Sequence, residues 1–284
     1  MSEAPVVEIC MPFHGDPGLF RRAVASVVSQ SDGAWTLRVI EDGHQPGFDA
    51  AAWIASLGDT RISHAQNASQ LGVCGNFQKC LDTSTAPYIV FFGCDDVMLP
   101  DYVRVLRGMI SRFGGADVLS PGVSVIDGRG HLTRPVGDRI KRALAPRIGQ
   151  PTELEGERLV TSLMHGNWTY FPALCWRRDA IAALGFRDDL PTTLDLELLV
   201  RVLMQGGSLA LDPTVVFHYR RHGDSASSLT AASRERFDEE ARLLDEIAGR
   251  CESAGWKRAA RAARWRVTSR LHHLLIRARG PLVA

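Results

Sequence analysis

Four times in the first 115 residues of this 284-residue chain, a short apolar run is followed by a helical pattern. That alternation constrains the fold more than any other feature. Val6-Val7-Glu8-Ile9-Cys10-Met11 reads as a buried strand closed by Pro12. Asp16-Pro17 then supplies a helix cap with proline in the first turn, and Phe20, Val24, Val27 and Val28 share one helical face. The runs Thr36 to Ile40, Arg61 to His64 and Tyr88 to Phe92 repeat the strand signal. Residues 49–57, 73–83 and 99 to about 113 repeat the helical one. Strands alternating with helices predict an α/β fold, a Rossmann-like, mostly parallel sheet flanked by helices.

In such sheets, ligands bind beyond the carboxyl ends of the strands. Three of those ends carry polar residues here: Phe13-His14-Gly15, Glu41-Asp42 and Asp95-Asp96. Adjacent carboxylates repel one another and raise a pKa unless positive charge stands nearby. A divalent cation, Mg2+ or Mn2+, sharing its ligands with substrate phosphates meets that need. The plainer alternative is a solvated loop whose Asp caps the next helix. Asp42 offers acceptor oxygens to the N3–H of uracil or thymine, or to a ribose hydroxyl; it equally suits a turn before Gly43.

The second half is less regular. Residues 117–126 suggest strand, and the Gly-, Pro- and Arg-rich stretch 127–151 predicts a mobile loop near the site. Helices are expected at Glu153–Met164, Asp179–Leu184 and Thr193–Met204, the second ended by Gly185. Strands are expected at Ala173–Trp176, Ser208–Leu211 and Val215–Tyr219, and two helices from Ala231 onward, broken near Gly255. The net charge is +1, which argues against a nucleic-acid binder. It is unevenly placed: residues 250–284 hold nine Lys/Arg and one acid, the rest 24 Lys/Arg and 31 Asp/Glu. The six cysteines are scattered with no C-x-x-C, so a reducing compartment and no structural zinc are expected. No apolar run reaches membrane-span length, and Met1 to Pro5 shows no secretory pattern, so a cytoplasmic location is expected.

Six motifs in order resemble the inverting glycosyltransferases of family 2, with the GT-A fold, across roughly residues 5–225. They are Val7 to Gly15; Ala25-Ser26-Val27-Val28-Ser29-Gln30-Ser31; Val39-Ile40-Glu41-Asp42-Gly43; Gln70-Leu71-Gly72-Val73-Cys74-Gly75-Asn76-Phe77; Phe91 to Pro100; and Tyr219-Arg220-Arg221-His222 with Ser225 and Ser227. The resemblance implies a nucleotide-sugar-binding half at 1–115, an acceptor-binding and catalytic half at 116–228, and a C-terminal helical extension at 229–284. It implies donor contacts from Pro12, Phe13, His14, Asp42, Gly72, Asn76 and Asp95, with Asp96 and His222 at Mg2+ or Mn2+. Asp195 stands where the family places its general base. Trp168 and Glu197 fall in the acceptor region, where Trp168 can stack on a sugar or pack, and Glu197 is a rival base. The donor implied is a UDP- or dTDP-sugar and the acceptor a carbohydrate, a lipid-linked sugar or a small metabolite.

This chain departs from the family pattern at Gly93, Gly15 and Leu194, where acids or Asn are usual. Two rivals stay open. One is a sugar-nucleotide pyrophosphorylase, which residues 12–18 fit poorly for want of a Gly-rich loop with Lys. The other is a non-catalytic nucleotide-sugar-binding scaffold. The basic segment Trp256 to Arg279 reads as a helix packing on the acidic main domain or on a second subunit. Its other reading is a peripheral contact with the inner face of a membrane.

Overall fold

The computed structural model describes residues 7–43, 46–222 and 234–265. Ser225 and Ser227 of the sixth motif, and Leu271 to Arg279 of the basic tail, lie outside them. One sheet runs through both halves of the chain. Its strands are β1 (Val7–Phe13), β2 (Trp35–Glu41), β3 (Ile62–Gln66), β4 (Tyr88–Phe91), β5 (Val97–Met98), β6 (Val118–Asp127), β7 (Leu132–Thr133), β8 (Thr152–Glu155), β9 (Cys175–Arg177) and β10 (Ser208–Arg221). The order is β3-β2-β1-β4-β9-β6-β10-β5, with β7 on β6 and β8 on β10. Strands β3, β2, β1 and β4 are parallel, as the alternation predicts. β9 is antiparallel to both β4 and β6, and β10 runs parallel to β6.

Helices α1 (Pro17–Val28), α2 (Ala50–Ser56) and α4 (Tyr102–Arg112) flank the sheet along with α3 (Gly72–Thr83). Alternation along β1 divides the core. Val7, Ile9, Met11 and Phe13 pack with Phe20, Val24, Val27 and Leu106 on one face. Cys10 joins Ile89, Phe91 and Trp176 on the other, with the buried face of α8 (Leu194–Met204). Asp16 caps α1 as expected, accepting from the Gly18 and Leu19 amides.

Four expectations need correction. Pro12 does not close β1, which pairs with β2 as far as Phe13. By strand alternation its missing N–H faces β4, where pairing already stops at Cys10 and Phe91, so no ladder bond is lost. The expected mobile loop contains β7 and the helix α5 (Val136–Leu144). Residues 153–155, expected as the start of a helix, belong to β8, which precedes α6 (Gly156–Met164). The two late strands are one, β10, with register shifts between Leu211 and Phe217. There the backbone of Pro213 and Thr214 comes so close to Gly122 that a Cβ on Gly122 would lie 2.7 to 2.8 Å from it.

After the short α7 (Arg178–Ile181) and α8, the chain ends its described part in α9 (Arg234–Ser253) and α10 (Lys257–Trp265). Alanines 259, 260, 262 and 263 of α10 are buried while Lys257, Arg258, Arg261 and Arg264 are exposed, and α10 packs against α6 and α9. The first turns of the basic tail therefore pack on the chain's own fold. Among the described residues, no helix is long and apolar enough to cross a membrane.

Candidate active site

The carboxyl ends of β1, β2 and β4 form one rim, and β10 delivers its last residues beside it. Asp42 follows β2 and is buried. One of its oxygens accepts from Asn67 Nδ2 at 2.9 Å and from the Leu71 amide at 2.8 Å; the other accepts from the Gly72 amide at 3.0 Å. Asn76, one turn into α3, accepts from the same Asn67 and donates to the Ile40 carbonyl. Asp42, Gly72 and Asn76 are thus one network, with Asn67 as the member that sequence reading missed. Gly72 sits at φ +72°, where a side chain would be strained.

The β1 end contributes differently. Phe13 is fully buried and stacked on Phe20 at 4.0 Å, so its ring supports the core rather than an open pocket. Its carbonyl accepts from the Asp42 amide, fixing the two strand ends together. Pro12 is half-buried beside it. His14 is exposed, its ring Nδ1 lying 3.4 Å from Gln70 Nε2.

Asp95 and Asp96 follow β4 and precede β5. The antiparallel β5–β10 pairing carries them to the end of β10. Asp96 is fully buried and accepts from the Arg220 amide at 2.7 Å. His222 Nε2 lies 2.8 Å from Asp95 Oδ2. Burial, then the charge of Asp95, pushes the Asp96 carboxyl well above the usual range, only partly opposed by Arg220 and Arg221. Arg220 is buried too, donating to the carbonyls of Asp95, Asp127 and Gly128.

Among the described residues, no three His, Cys, Asp or Glu side chains are grouped at ligating spacing. The protein therefore offers no closed cage. It does offer an adjacent carboxylate pair whose mutual repulsion the neighbouring arginines only partly offset. A Cβ at Gly93 would lie 2.7 Å from Asp96 Oδ2 and 3.1 Å from Asp95 Oδ1, so glycine lets both carboxylates turn in against the backbone here. Two carboxylates with the remaining positions left to phosphate and water is how Mg2+ is commonly bound.

Asp195 lies in the first turn of α8 and accepts from Asn167 Nδ2 at 2.9 Å. Asn167 in turn accepts from both the amide and the hydroxyl of Thr169. The Thr169 carbonyl accepts from Lys141 Nζ of α5 at 2.8 Å. Asp138, also on α5 and buried, accepts from the Tyr170 hydroxyl and from Arg221 Nε and a terminal nitrogen. A polar chain thus connects the residue next to His222 to the loop that holds Asp195.

Glu197 sits elsewhere. It is 1% exposed, hydrogen-bonded by Arg201 Nε at 2.8 Å and by Arg250 at 3.2 Å, with a second Arg201 nitrogen in ion-pair contact at 2.8 Å and Arg187 at 3.9 Å. A carboxylate so enclosed by guanidiniums is an anchor between α8 and α9. Trp168 is 6% exposed and donates to Ser162 Oγ. Its ring packs in the core, and one side faces a small cleft of about 170 Å³ shared with Lys141, Thr169 and Tyr170.

The sequence profile of glycosyl transferase family 2 matches residues 8–176, more than half of the chain. The chain belongs to that family. Among relatives, the uncharacterized protein MT1568 of Mycobacterium tuberculosis is 26% identical over 222 residues, 71% of this chain and 63% of the relative. The putative colanic acid biosynthesis glycosyl transferase WcaA of Escherichia coli K12 is 25% identical over 105 residues, 37% of this chain and 38% of the relative. The matches span less than two thirds of either relative. The fold is that of S. aureus TarS residues 1–349, with a TM-score of 0.67 at 12% identity over 93% of this chain and 72% of that one. The same fragment in complex with UDP-GlcNAc gives 0.67 at 11% identity over 95% and 79%. This family 2 chain therefore has the GT-A architecture, with its acidic rim at the carboxyl end of the sheet.

Proposed function

We propose that this family 2 chain is an inverting, hexosyl-type transferase that moves a sugar from a UDP- or dTDP-sugar to an acceptor hydroxyl. The observation that carries the reading is the meeting of the β4–β5 connection with the end of β10. It sets Asp95 and Asp96 beside His222, one residue from the Arg221–Asp138 contact that leads toward Asp195. The structural neighbours include a complex with UDP and one with UDP-GlcNAc, which supports the donor class.

The residues take the following roles. A carboxylate has about four acceptor positions, and Asp42 uses three on the 67–72 loop. The fourth is left for the N3–H of uracil or thymine, so Asp42 builds the base pocket and reads the base. Gly72 and Asn76 hold the wall opposite, and Pro12 and His14 border it. Asp95 and Asp96, with His222 beside them, would hold Mg2+ or Mn2+, which when bound neutralises the departing diphosphate. Asp195, turned by Asn167, accepts the proton of the attacking hydroxyl, a role that typically contributes about 10²–10⁴-fold. One base on the face opposite the leaving group needs no covalent intermediate, hence inversion. Trp168 borders the acceptor side, where the acceptor is a carbohydrate, a lipid-linked sugar or a small metabolite. The protein acts in the cytoplasm.

Thermal-shift screening with UDP-, dTDP-, GDP- and ADP-sugars, each with and without Mn2+, tests this reading. A ligand at a hundredfold excess over its dissociation constant stabilises by about 2.7 kcal/mol, or roughly 5–10 °C in a chain of this size. A Mn2+-dependent shift with a UDP- or dTDP-sugar is expected. A shift with purine nucleotide sugars alone, or with none, would overturn the donor assignment.

A further inference from the structure

Helix α5 brings two charged side chains inward from a segment whose composition reads as loop. Asp138 is saturated by Arg221 and Tyr170. Lys141, three residues on, is not held by Asp138. Its ammonium donates to the Thr169 carbonyl at 2.8 Å and lies 4.7 Å from the centre of the Tyr170 ring. Thr169 closes on Asn167 through two hydrogen bonds, and Asn167 holds Asp195 Oδ2. The first and last links are single hydrogen bonds of 2.8 and 2.9 Å, so the orientation of the carboxylate depends on where α5 places one ammonium.

We propose that Lys141 is the positioning residue of the candidate base, anchoring the Asn167–Thr169 loop and setting a fixed positive charge within electrostatic reach of the Asp195 carboxylate. The proposal rests on the reading of Asp195 as the base. A half-buried ammonium bound to this loop fixes the side chains that hold the Asp195 carboxylate in place. The charged groups facing Lys141 are Asp195 of α8, Asp138 of its own helix, Arg221 of β10 and Arg236 of α9. Burial is the largest influence and lowers the ammonium's pKa to about 8, with Asp195 the largest opposing one. The charge is therefore present below about pH 8 and is lost as pH rises through that value.

The test is carboxyl NMR on the full chain carrying [13Cγ]aspartate, followed from about pH 5 to about pH 10, with Asp195→Asn identifying the signal. The Asp195 resonance should show an inflection near pH 8 as Lys141 loses its proton. Lys141→Met should abolish that inflection. Lys141→Arg should keep the resonance in place and remove the inflection from the range, because a guanidinium stays charged. A purely structural lysine would leave Lys141→Arg indistinguishable from wild type. Absence of the inflection in wild type, or its survival in either variant, overturns the proposal. If Lys141→Met does not fold, the comparison of wild type with Lys141→Arg decides it alone. Turnover of UDP-GlcNAc by Asp195→Asn is measured separately: retained turnover defeats the base assignment, whatever the NMR shows of the coupling.

Discussion

Replacing Glu197 with Gln separates an anchor from a base. The carboxylate receives two charge-assisted hydrogen bonds, one from Arg201 Nε and one from Arg250, with a second Arg201 nitrogen in ion-pair contact at 2.8 Å, in a site 1% exposed. Glutamine keeps the shape but loses the charge and turns an amide donor toward a guanidinium. Removing one partner of a buried ion pair costs about 3–5 kcal/mol. The lower figure applies here, because the arginines are 20% and 35% exposed and Arg201 retains the carbonyls of Leu184 and Gly185. About 3 kcal/mol corresponds to a melting temperature lower by roughly 6 °C or more. The control is Asp195→Asn, two residues away on the same helix. It loses a charge at the helix N-terminus and at most about 1 kcal/mol, hence only roughly 2 °C. Differential scanning calorimetry reads both. If Glu197→Gln melts with wild type, or if Asp195→Asn falls as far, the assignment of one acid to packing and the other to the open site is wrong.

Other outcomes follow from the same geometry. Asp42→Ala leaves three donors of the 67–72 loop without their acceptor, and amide hydrogen exchange there should rise; each bond to a charged group is worth about 1.5–3 kcal/mol, so nucleotide affinity should fall at least tenfold by calorimetric titration. Asp96→Asn should abolish the Mn2+-dependent part of the nucleotide-sugar thermal shift while sparing the metal-free part. Gly122→Ala places a methyl 2.7 Å from the Pro213 carbonyl and should cost about 1–3 kcal/mol, read as a lower denaturation midpoint with an unchanged slope.

What could be read from sequence follows from how each element is buried. Strands β1 and β4 are buried on both faces and stand out as apolar runs, while β2 alternates through half-buried Thr36 and Arg38 before Val39 and Ile40; Asp42, Asp95 and Asp96 are conspicuous where these strands stop. Helix α5 was illegible for the opposite reason. Its inward side carries Asp138 and Lys141 and its outward side Val136, so apolar periodicity misreports it. A spacing of four between Val136, Ile140 and Leu144 was the signal available. β10 reads as two strands because Asp212-Pro213 looks like a turn; the bulge facing Gly122 carries the strand through. Asp195 and Glu197 look alike in sequence, two acids in one helical turn. Arg201, at i+4 from Glu197, was a local signal, but their different surroundings also come from Asn167, Arg187 and Arg250, which no local pattern contains.

The central claim is that the acidic rim receives a sugar diphosphate through Asp95 and Asp96. Crystals grown with UDP and Mn2+, measured at the manganese absorption edge, test it directly. The account predicts one anomalous peak within about 2.0–2.3 Å of an Asp95 or Asp96 carboxylate oxygen, bridging to the diphosphate, with the uracil against Asp42. A nucleotide bound away from these three residues, or a metal peak held by other side chains, would contradict it.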